Sequence, residues 1–356
     1  MIKPLTSLRF IFALMVFLSH LWFLQDESPF YRQLYDDIFY EGYIGVSFFF
    51  ILSGFVLGYS YHDKILDGEI KFSKFWLARF ARIYPLHLLT LLIAIPLSLK
   101  GDTTEWINRF VLNIFLIQSF VPSDSIYFYF NSVSWSISDE WFFYLMFPFL
   151  VFLMLRRRYL KFLPVLILLI PLSLLLVKES YHEKYFYINP LLRIGDFIIG
   201  KLLYRLYRKR KDIEILNNRT VANWAEIGSI ILLAVFIYFH NIIPQGFRYS
   251  CYYWLPMIVL IYTFAYARGF ISDMLSNATM VFLGEISFGF YMIHMLVLRY
   301  YQYLPKKLEF LQKVLPLNHN AAFIIFGISL TLSILIYKYF ELPANRFIKQ
   351  KLGPKI

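Results

Sequence analysis

The stretch Leu5-Thr-Ser-Leu-Arg9-Phe-Ile-Phe-Ala-Leu-Met-Val-Phe-Leu-Ser-His20-Leu-Trp-Phe-Leu24 decides how this chain is to be read. It is twenty residues long and almost wholly apolar, the length of helix that crosses a bilayer core of about 30 Å. No small-residue cleavage pattern follows it, so it is expected to stay in the protein as a first membrane helix rather than be removed as a signal. It also carries two ionisable groups, Arg9 and His20. Eleven residues are about three helical turns, so both lie near one face, separated by roughly 16 Å. Ionisable groups within a span are costly, and that makes them functional candidates from the outset. A snorkelling arginine that marks topology, and a buried histidine bonded to a backbone carbonyl, are the plainer readings of the pair.

The rest of the chain repeats the pattern. Of 356 residues 59% are hydrophobic and only 16% charged, where a soluble domain carries about 25%. Mean hydropathy is +0.57. Aromatic residues reach 21%, as suits rings anchored at two membrane–water interfaces. Apolar runs at 5–24, 42–61, 75–99, 132–154, 162–177, 188–206, 225–243, 251–267, 280–303 and 320–342 predict about ten membrane helices. A shorter run at 106–120 is expected to be re-entrant or interfacial, because counting it as a crossing would place Arg156, Arg157, Arg158 and Lys161 outside. The fold class expected is therefore all-α and polytopic, with both termini cytoplasmic. Basic clusters at Lys3 and Arg9, at Arg205, Arg208, Lys209, Arg210 and Lys211, and at Arg346, Lys349, Lys351 and Lys355 agree with that orientation. Lys306, Lys307 and Lys313 dissent. Residues 1–356 are expected to form a single membrane-embedded domain without a fused soluble domain, located in the inner (plasma) membrane.

The net charge of +12 would point to nucleic acid in a soluble protein. Here the basic residues sit in short loops between apolar runs, which reads as topology, and no nucleic-acid partner is expected. The one cysteine, Cys251, excludes an internal disulfide and argues against a thiolate metal site, and the histidines lack the paired spacing of a zinc site. No metal is expected.

Four further blocks place polar groups at membrane depth. In Phe75-Trp-Leu-Ala-Arg79-Phe-Ala-Arg82-Ile-Tyr-Pro85 the two arginines share a face one turn inside the cytoplasmic end. Paired guanidiniums hold phosphates bidentately, with Lys74 at the mouth, while Pro85 bends the helix and opens room beside them. Positive-inside topology is the competing reading. Ser132-Val-Ser-Trp135-Ser-Ile-Ser-Asp139-Glu140-Trp-Phe-Phe-Tyr144 begins a span from outside, putting Asp139 and Glu140 near the depth of His20. A carboxylate there orients an imidazole and raises its basicity, or is simply solvated at the interface. In Asn189-Pro-Leu-Leu-Arg193-Ile-Gly-Asp196-Phe-Ile-Ile-Gly200, Arg193 and Asp196 are three apart and either serve a site or pair with each other. His294, deep in its span, shares a face with Ser287 and Tyr291. His87 is a pocket-lining candidate only. His62, His182, His240 and His319 fall in loops or at span ends and are assigned no role.

Taken in order, these blocks together with Gly45-Val-Ser-Phe-Phe-Phe-Ile-Leu-Ser53-Gly54 resemble the acyltransferase-3 family of integral-membrane O-acyltransferases, over nearly the whole chain. The resemblance implies transfer of an acyl group, acetyl in the first instance, from cytoplasmic acyl-CoA to a hydroxyl of an extracytoplasmic or lipid-linked glycan. Acyl-CoA would be a co-substrate; no permanently bound cofactor is implied. Position by position, the resemblance puts the family's catalytic arginine and histidine on Arg9 and His20 and its fourth-span glutamate on Glu140. Its donor-binding arginine pair falls on Arg79 and Arg82. Ser53, Trp135, Arg193, Ser287, Tyr291 and His294 follow as pocket-lining candidates. His20 acts either as general base, with Glu140 fixing its tautomer, or as the carrier of a covalent acyl intermediate. Two positions depart from the family: its usual glycine ahead of the first-helix arginine is absent, with Thr6 and Ser7 nearby, and the acidic residue common in its second-helix block is Ser47. The alternative reading is a transporter or flippase of a glycan or small molecule, which would move substrate without consuming acyl-CoA; the absence of internal repeats argues against it.

Overall fold

A computed structural model describes residues 2–99, 102–154, 162–210 and 218–352. The basic residues Arg156, Arg157, Arg158, Lys161, Lys211 and Lys355 invoked for topology lie outside the described residues. All regular structure among the described residues is helical. The principal helices are α1 (Lys3–Ser19), α2 (Gly45–Leu66), α3 (Phe72–Ala94), α4 (Thr103–Ile114), α5 (Trp135–Leu153), α6 (Phe162–Ser173), α7 (Pro190–Arg210), α8 (Arg219–Tyr238), α9 (Trp254–Tyr266), α10 (Ala278–Lys307), α11 (His319–Ile336) and α12 (Leu342–Leu352).

Six helical stretches among the described residues are long and apolar enough to cross a membrane: Pro29–Leu66, Phe72–Leu97, Ser132–Leu153, Arg219–Tyr238, Ala278–Lys307 and His319–Lys351. The chain is thus a membrane protein. The other expected spans form helices too, but α1, α6 and α9 have 17, 12 and 13 residues, and α7 carries Arg193, Asp196, Lys201 and Arg205 along its length. The 106–120 run forms α4, whose 12 residues rise about 18 Å, short of a bilayer core. Its start is set by Asp102, whose carboxylate accepts from the amides of Thr104 and Glu105 at 2.8 and 3.0 Å. A capping acid of this kind satisfies donors that the first helical turn leaves open.

Contacts divide the chain into two units. The first comprises Met1–Phe12, Ile44–Phe72 and Phe142–Glu285. Its centre is the packing of α2 on α7, and two glycines permit it. A Cβ on Gly54 would stand 2.0 Å from the Phe197 carbonyl oxygen, and one on Gly200 would stand 1.8 Å from that of Ile51. Membrane helices gain little from burying apolar surface against each other, so close backbone approach at small residues carries their association. Aromatic rings fill the flanks: Phe12 stacks on Phe48, and Phe143 lies between Phe50 and Phe197. The buried Glu226 of α8 accepts the amides of Gly269, Ile271 and Ser272 and so caps the short helix Phe270–Leu275.

The second unit comprises Ala13–Tyr43, Ser73–Trp141 and Ile286–Ile356. Leu91, Ala94, Phe130, Ile293 and Leu296 form a core cluster joining α3, the segment before α5, and α10. His87 of α3 is fully buried and its Nε2 meets the Asn113 carbonyl of α4 at 2.8 Å, a structural tie for that histidine. Asn131 donates to the Met292 carbonyl at 2.8 Å and fixes the entry to α5 against α10.

Candidate active site

His20 follows the last turn of α1, half-buried, with the carbonyl of Val16 one turn back at 2.8 Å from its Nδ1. The same Nδ1 lies 3.2 Å from Nε2 of His294, which is buried on α10. His294 in turn places its own Nδ1 3.2 Å from the Phe290 carbonyl. A carbonyl only accepts, so each Nδ1 carries the proton in this arrangement. His20 Nδ1–H is then shared between Val16 and the bare Nε2 of His294, and the lone pair of His20 resides on Nε2. The His20 imidazole is thus held by a backbone carbonyl and a second histidine.

The pair stands among rings. Phe17 approaches both Phe290 and His294 edge-on or tilted, and Phe326 of α11 closes on Phe17 and Phe290. Low polarity of this kind strengthens every hydrogen bond within it.

The Trp135–Glu140 block supplies a ladder of hydroxyls. Ser136 Oγ and Tyr291 Oη are 2.8 Å apart, and both reach the Val133 carbonyl, at 2.9 and 3.2 Å. Ser138 donates to the Leu116 carbonyl at 2.6 Å and accepts from Ser119 at 2.7 Å. Gln118 donates to the Ser134 carbonyl at 3.2 Å. Leu116 itself has φ of 55°, a left-handed conformation that costs a side-chain-bearing residue about 1–2 kcal/mol. The serines at alternate positions of the block thus bind the turn after α4 on one side and α10 on the other. Glu140, four residues beyond Ser136, shares the face of α5 that meets Tyr291. Trp135 and Ser287 are buried in this unit.

Arg82 forms an ion pair with Glu341, an almost fully buried acid at the end of the wide-turn segment Tyr337–Glu341, and its guanidinium stands 5.6 Å from the Phe288 ring. Asn345 adds a bond to the Ala81 carbonyl at 3.1 Å. One carboxylate leaves most of the five guanidinium donors for other partners. Arg79 is half-buried on the same face of α3 and Lys74 is exposed near its start. Phe288 and His294 are six residues apart on α10, about 9 Å of helical rise. One helix therefore touches both the arginine and the histidine. Glu341 is a residue that sequence reasoning passed over. An acid inside the last apolar run, 320–342, is the signal by which it was detectable.

Arg9, Ser53 and Arg193 belong to the first unit. Arg193 is buried and bonded to Asp196 at 3.0 Å, to Ser47 Oγ at 2.9 Å and to the Tyr249 carbonyl at 2.7 Å, with Phe50 and Tyr187 beside its guanidinium. Trp254 donates to Asp196. Arg193 and Asp196 thus pair with each other, and Ser47 accepts from the guanidinium at the position where the resemblance leads one to expect an acid. Ser7, at the other departure, is buried and donates to the Leu275 carbonyl at 2.5 Å, while Gly284 of α10 lies against the Thr6 carbonyl. The close approach is made with the glycine on the partner helix.

Residues 3–338 match a family model described as an acyltransferase domain. Among curated proteins, Acyltransferase MdmB of Streptomyces mycarofaciens is 32% identical over 331 residues, 84% of this chain and 79% of that protein. A Staphylococcus aureus (strain COL) protein provisionally named an O-acetyltransferase is 23% identical over 282 residues, covering 73% of this chain but 46% of its own length. A protein of Acidianus two-tailed virus, provisionally named an acetyltransferase, is 27% identical over 82% of each chain. No solved structure matches the chain.

Proposed function

Since the chain belongs to the acyltransferase-3 family and is an acyltransferase of the membrane, we propose that it transfers an acyl group, acetyl in the first instance, from cytoplasmic acyl-CoA to a hydroxyl of an extracytoplasmic or lipid-linked glycan. The observation that carries this reading is the His20–His294 contact, which leaves His20 Nε2 as a base on an imidazole held from behind.

In this mechanism the acceptor hydroxyl gives its proton to His20 Nε2 as its oxygen attacks the thioester carbonyl. The tetrahedral intermediate collapses, the C–S bond breaks, and the departing thiolate takes the proton from the imidazolium. The new ester and free CoA leave. While His20 is charged, its Nδ1–H bond to the Val16 carbonyl strengthens, as a charge-assisted bond does. A positioned base contributes typically about 10² to 10⁴ in rate.

Arg79 and Arg82 bind the phosphates of the donor, with Lys74 at the entry. Support for this comes from the guanidinium beside Phe288, on the helix that also carries His294. Glu341 positions Arg82. Glu140 accepts from acceptor hydroxyls, its place one turn from Ser136 on α5 being the supporting observation. Arg9 is assigned to the reaction on the family pattern alone. The orientation we adopt keeps about ten spans and both termini in the cytoplasm of a cell whose inner membrane holds the protein.

The test uses membranes containing wild-type protein or His20→Ala and radiolabelled acetyl-CoA, with label followed into the surface glycan fraction. Label that appears with wild type and is lost with His20→Ala supports the reading. Well-folded wild-type protein that consumes no acyl-CoA with any surface glycan overturns it.

A further inference from the structure

In the first unit, the end of α2 and the second half of α7 enclose a cavity of about 360 Å³ whose polar lining is His62, Lys201, Tyr204, Arg205, Arg208 and Lys209. Spacings of three, four and seven from Lys201 put Tyr204, Arg205 and Arg208 on one helical face. Arg208 and Lys209 are exposed, as topology-marking residues at a helix end are. Lys201 is not. It is 1% exposed, two and a half turns before the end of α7.

Among the described residues its surroundings hold one acid, and that acid is engaged elsewhere. Lys201 Nζ lies 2.7 Å from His62 Nδ1. An ammonium only donates, so Nδ1 is the bare nitrogen and the other ring nitrogen, Nε2, carries the proton. Phe147 and Tyr204 offer ring faces at 5.6 and 5.1 Å from Nζ. Asp63, the neighbouring acid, is engaged by Arg208 at 2.8 Å. Arg205 gives one N–H to the Met154 carbonyl at 3.0 Å and, among the described residues, has no other hydrogen-bond acceptor. Among the described residues no carboxylate stands within ion-pair distance of Lys201. A buried ammonium without a counter-ion is expensive to keep charged, and a cavity that gathers, among the described residues, four cations against one engaged acid lowers that cost when an anion enters.

We propose that this cavity binds a phosphate group, with Lys201 as its buried cation and Arg205 and His62 as further donors. Basic pockets between membrane helices hold phosphorylated headgroups by this chemistry, and the volume admits a phosphate with a glycerol attached. Two sources supply such a group: an anionic phospholipid headgroup, or a soluble phosphate such as that of CoA. Its lining residues belong to the first unit, whereas Arg79 and Arg82 belong to the second.

The experiment is native mass spectrometry on the full chain in detergent, titrated with dioleoylphosphatidylglycerol or with dioleoylphosphatidylcholine. Thermal-shift titrations with inorganic phosphate and with CoA run in parallel on wild type, Lys201→Met, Lys201→Arg and Arg205→Gln. The expected result is preferential, saturable retention of the anionic ligand by wild type, weakened about tenfold or more in Lys201→Met and restored in Lys201→Arg. Lys201-dependent retention of phosphatidylglycerol identifies the lipid source. A Lys201-dependent shift with phosphate or CoA, without lipid retention, identifies the soluble one. If Lys201→Met is unfolded by circular dichroism, Arg205→Gln is judged by the same criterion. Equal binding of every ligand by wild type and a folded variant overturns the proposal. No arm reads acyl transfer, so this result stands apart from the fate of the proposed reaction.

Discussion

Nε2 of His294 and Nδ1 of His20 face each other at 3.2 Å although 274 residues separate them in the chain. In the proposed reaction this contact makes His294 a positioning residue: it accepts from the His20 nitrogen that would not take the acceptor's proton. His20→Ala is expected to lower kcat by about 10² or more, the range of a lost general base. His294→Ala should lower it less, because the Val16 carbonyl still holds the tautomer. His294→Gln, whose amide oxygen accepts from the same N–H, should recover part of the loss. Label transfer measured at saturating donor and acceptor decides it. If His294→Ala equals His20→Ala and glutamine gives no recovery, His294 has a direct chemical role.

Arg82 and Glu341 invite a double-mutant cycle. Glu341 is 2% exposed, so Arg82→Ala removes an ion-pair partner from a buried carboxylate, a loss that costs up to about 3–5 kcal/mol for a fully buried pair. The expected pattern is a clear fall in thermal stability for Arg82→Ala, recovered in Arg82→Ala with Glu341→Leu. Donor affinity should fall in both. Recovery of donor affinity together with stability would reduce Arg82 to a structural role.

How much of this was legible beforehand depended on whether a signal was local. The helices, and the six stretches long and apolar enough to cross a membrane, follow from run length and hydropathy, which are local, and the blocks around Arg9, Arg79, Trp135, Arg193 and His294 are dense enough to notice singly. Ser136 and Ser138 lay within one of them without an assigned partner, because which face of α5 meets α10 depends on packing between distant segments. The His20–His294 contact and the Arg82–Glu341 pair join residues more than 250 apart in sequence, and spacing says nothing about them. Lys201 was hidden for a different reason. It sits just ahead of a run of basic residues at the end of α7 and reads as one more topology signal until its burial is seen.

Helix packing in the first unit makes a prediction about stability alone. Gly54→Val or Gly200→Val places a side chain where a backbone carbonyl already stands, so α2 and α7 must separate. Both variants should unfold well below wild type in detergent, and neither should be rescued by donor. Gly228 of α8 has open space around it, and Gly228→Ala should be neutral or stabilising by about 0.5–1 kcal/mol, the helical penalty of glycine. Equal melting of Gly200→Val and Gly228→Ala would show that the α2–α7 approach is not needed.

Tyr291→Phe tests the hydroxyl ladder. It removes the bond between Oη and Ser136 Oγ while keeping the ring beside His294. Polar contacts between membrane helices are worth about 0.6 kcal/mol on average and up to about 1.7, so the loss in stability should be small. If the ladder serves to hold α5 against α10 beside His20, the effect falls on the acceptor: KM for the glycan should rise while donor KM stays near wild type, since Arg79 and Arg82 are untouched. Ser136→Ala should reproduce the acceptor effect, and the double variant should add little to either single one, as two ends of one bond do. Independent, additive losses would show that Tyr291 and Ser136 act on the reaction separately.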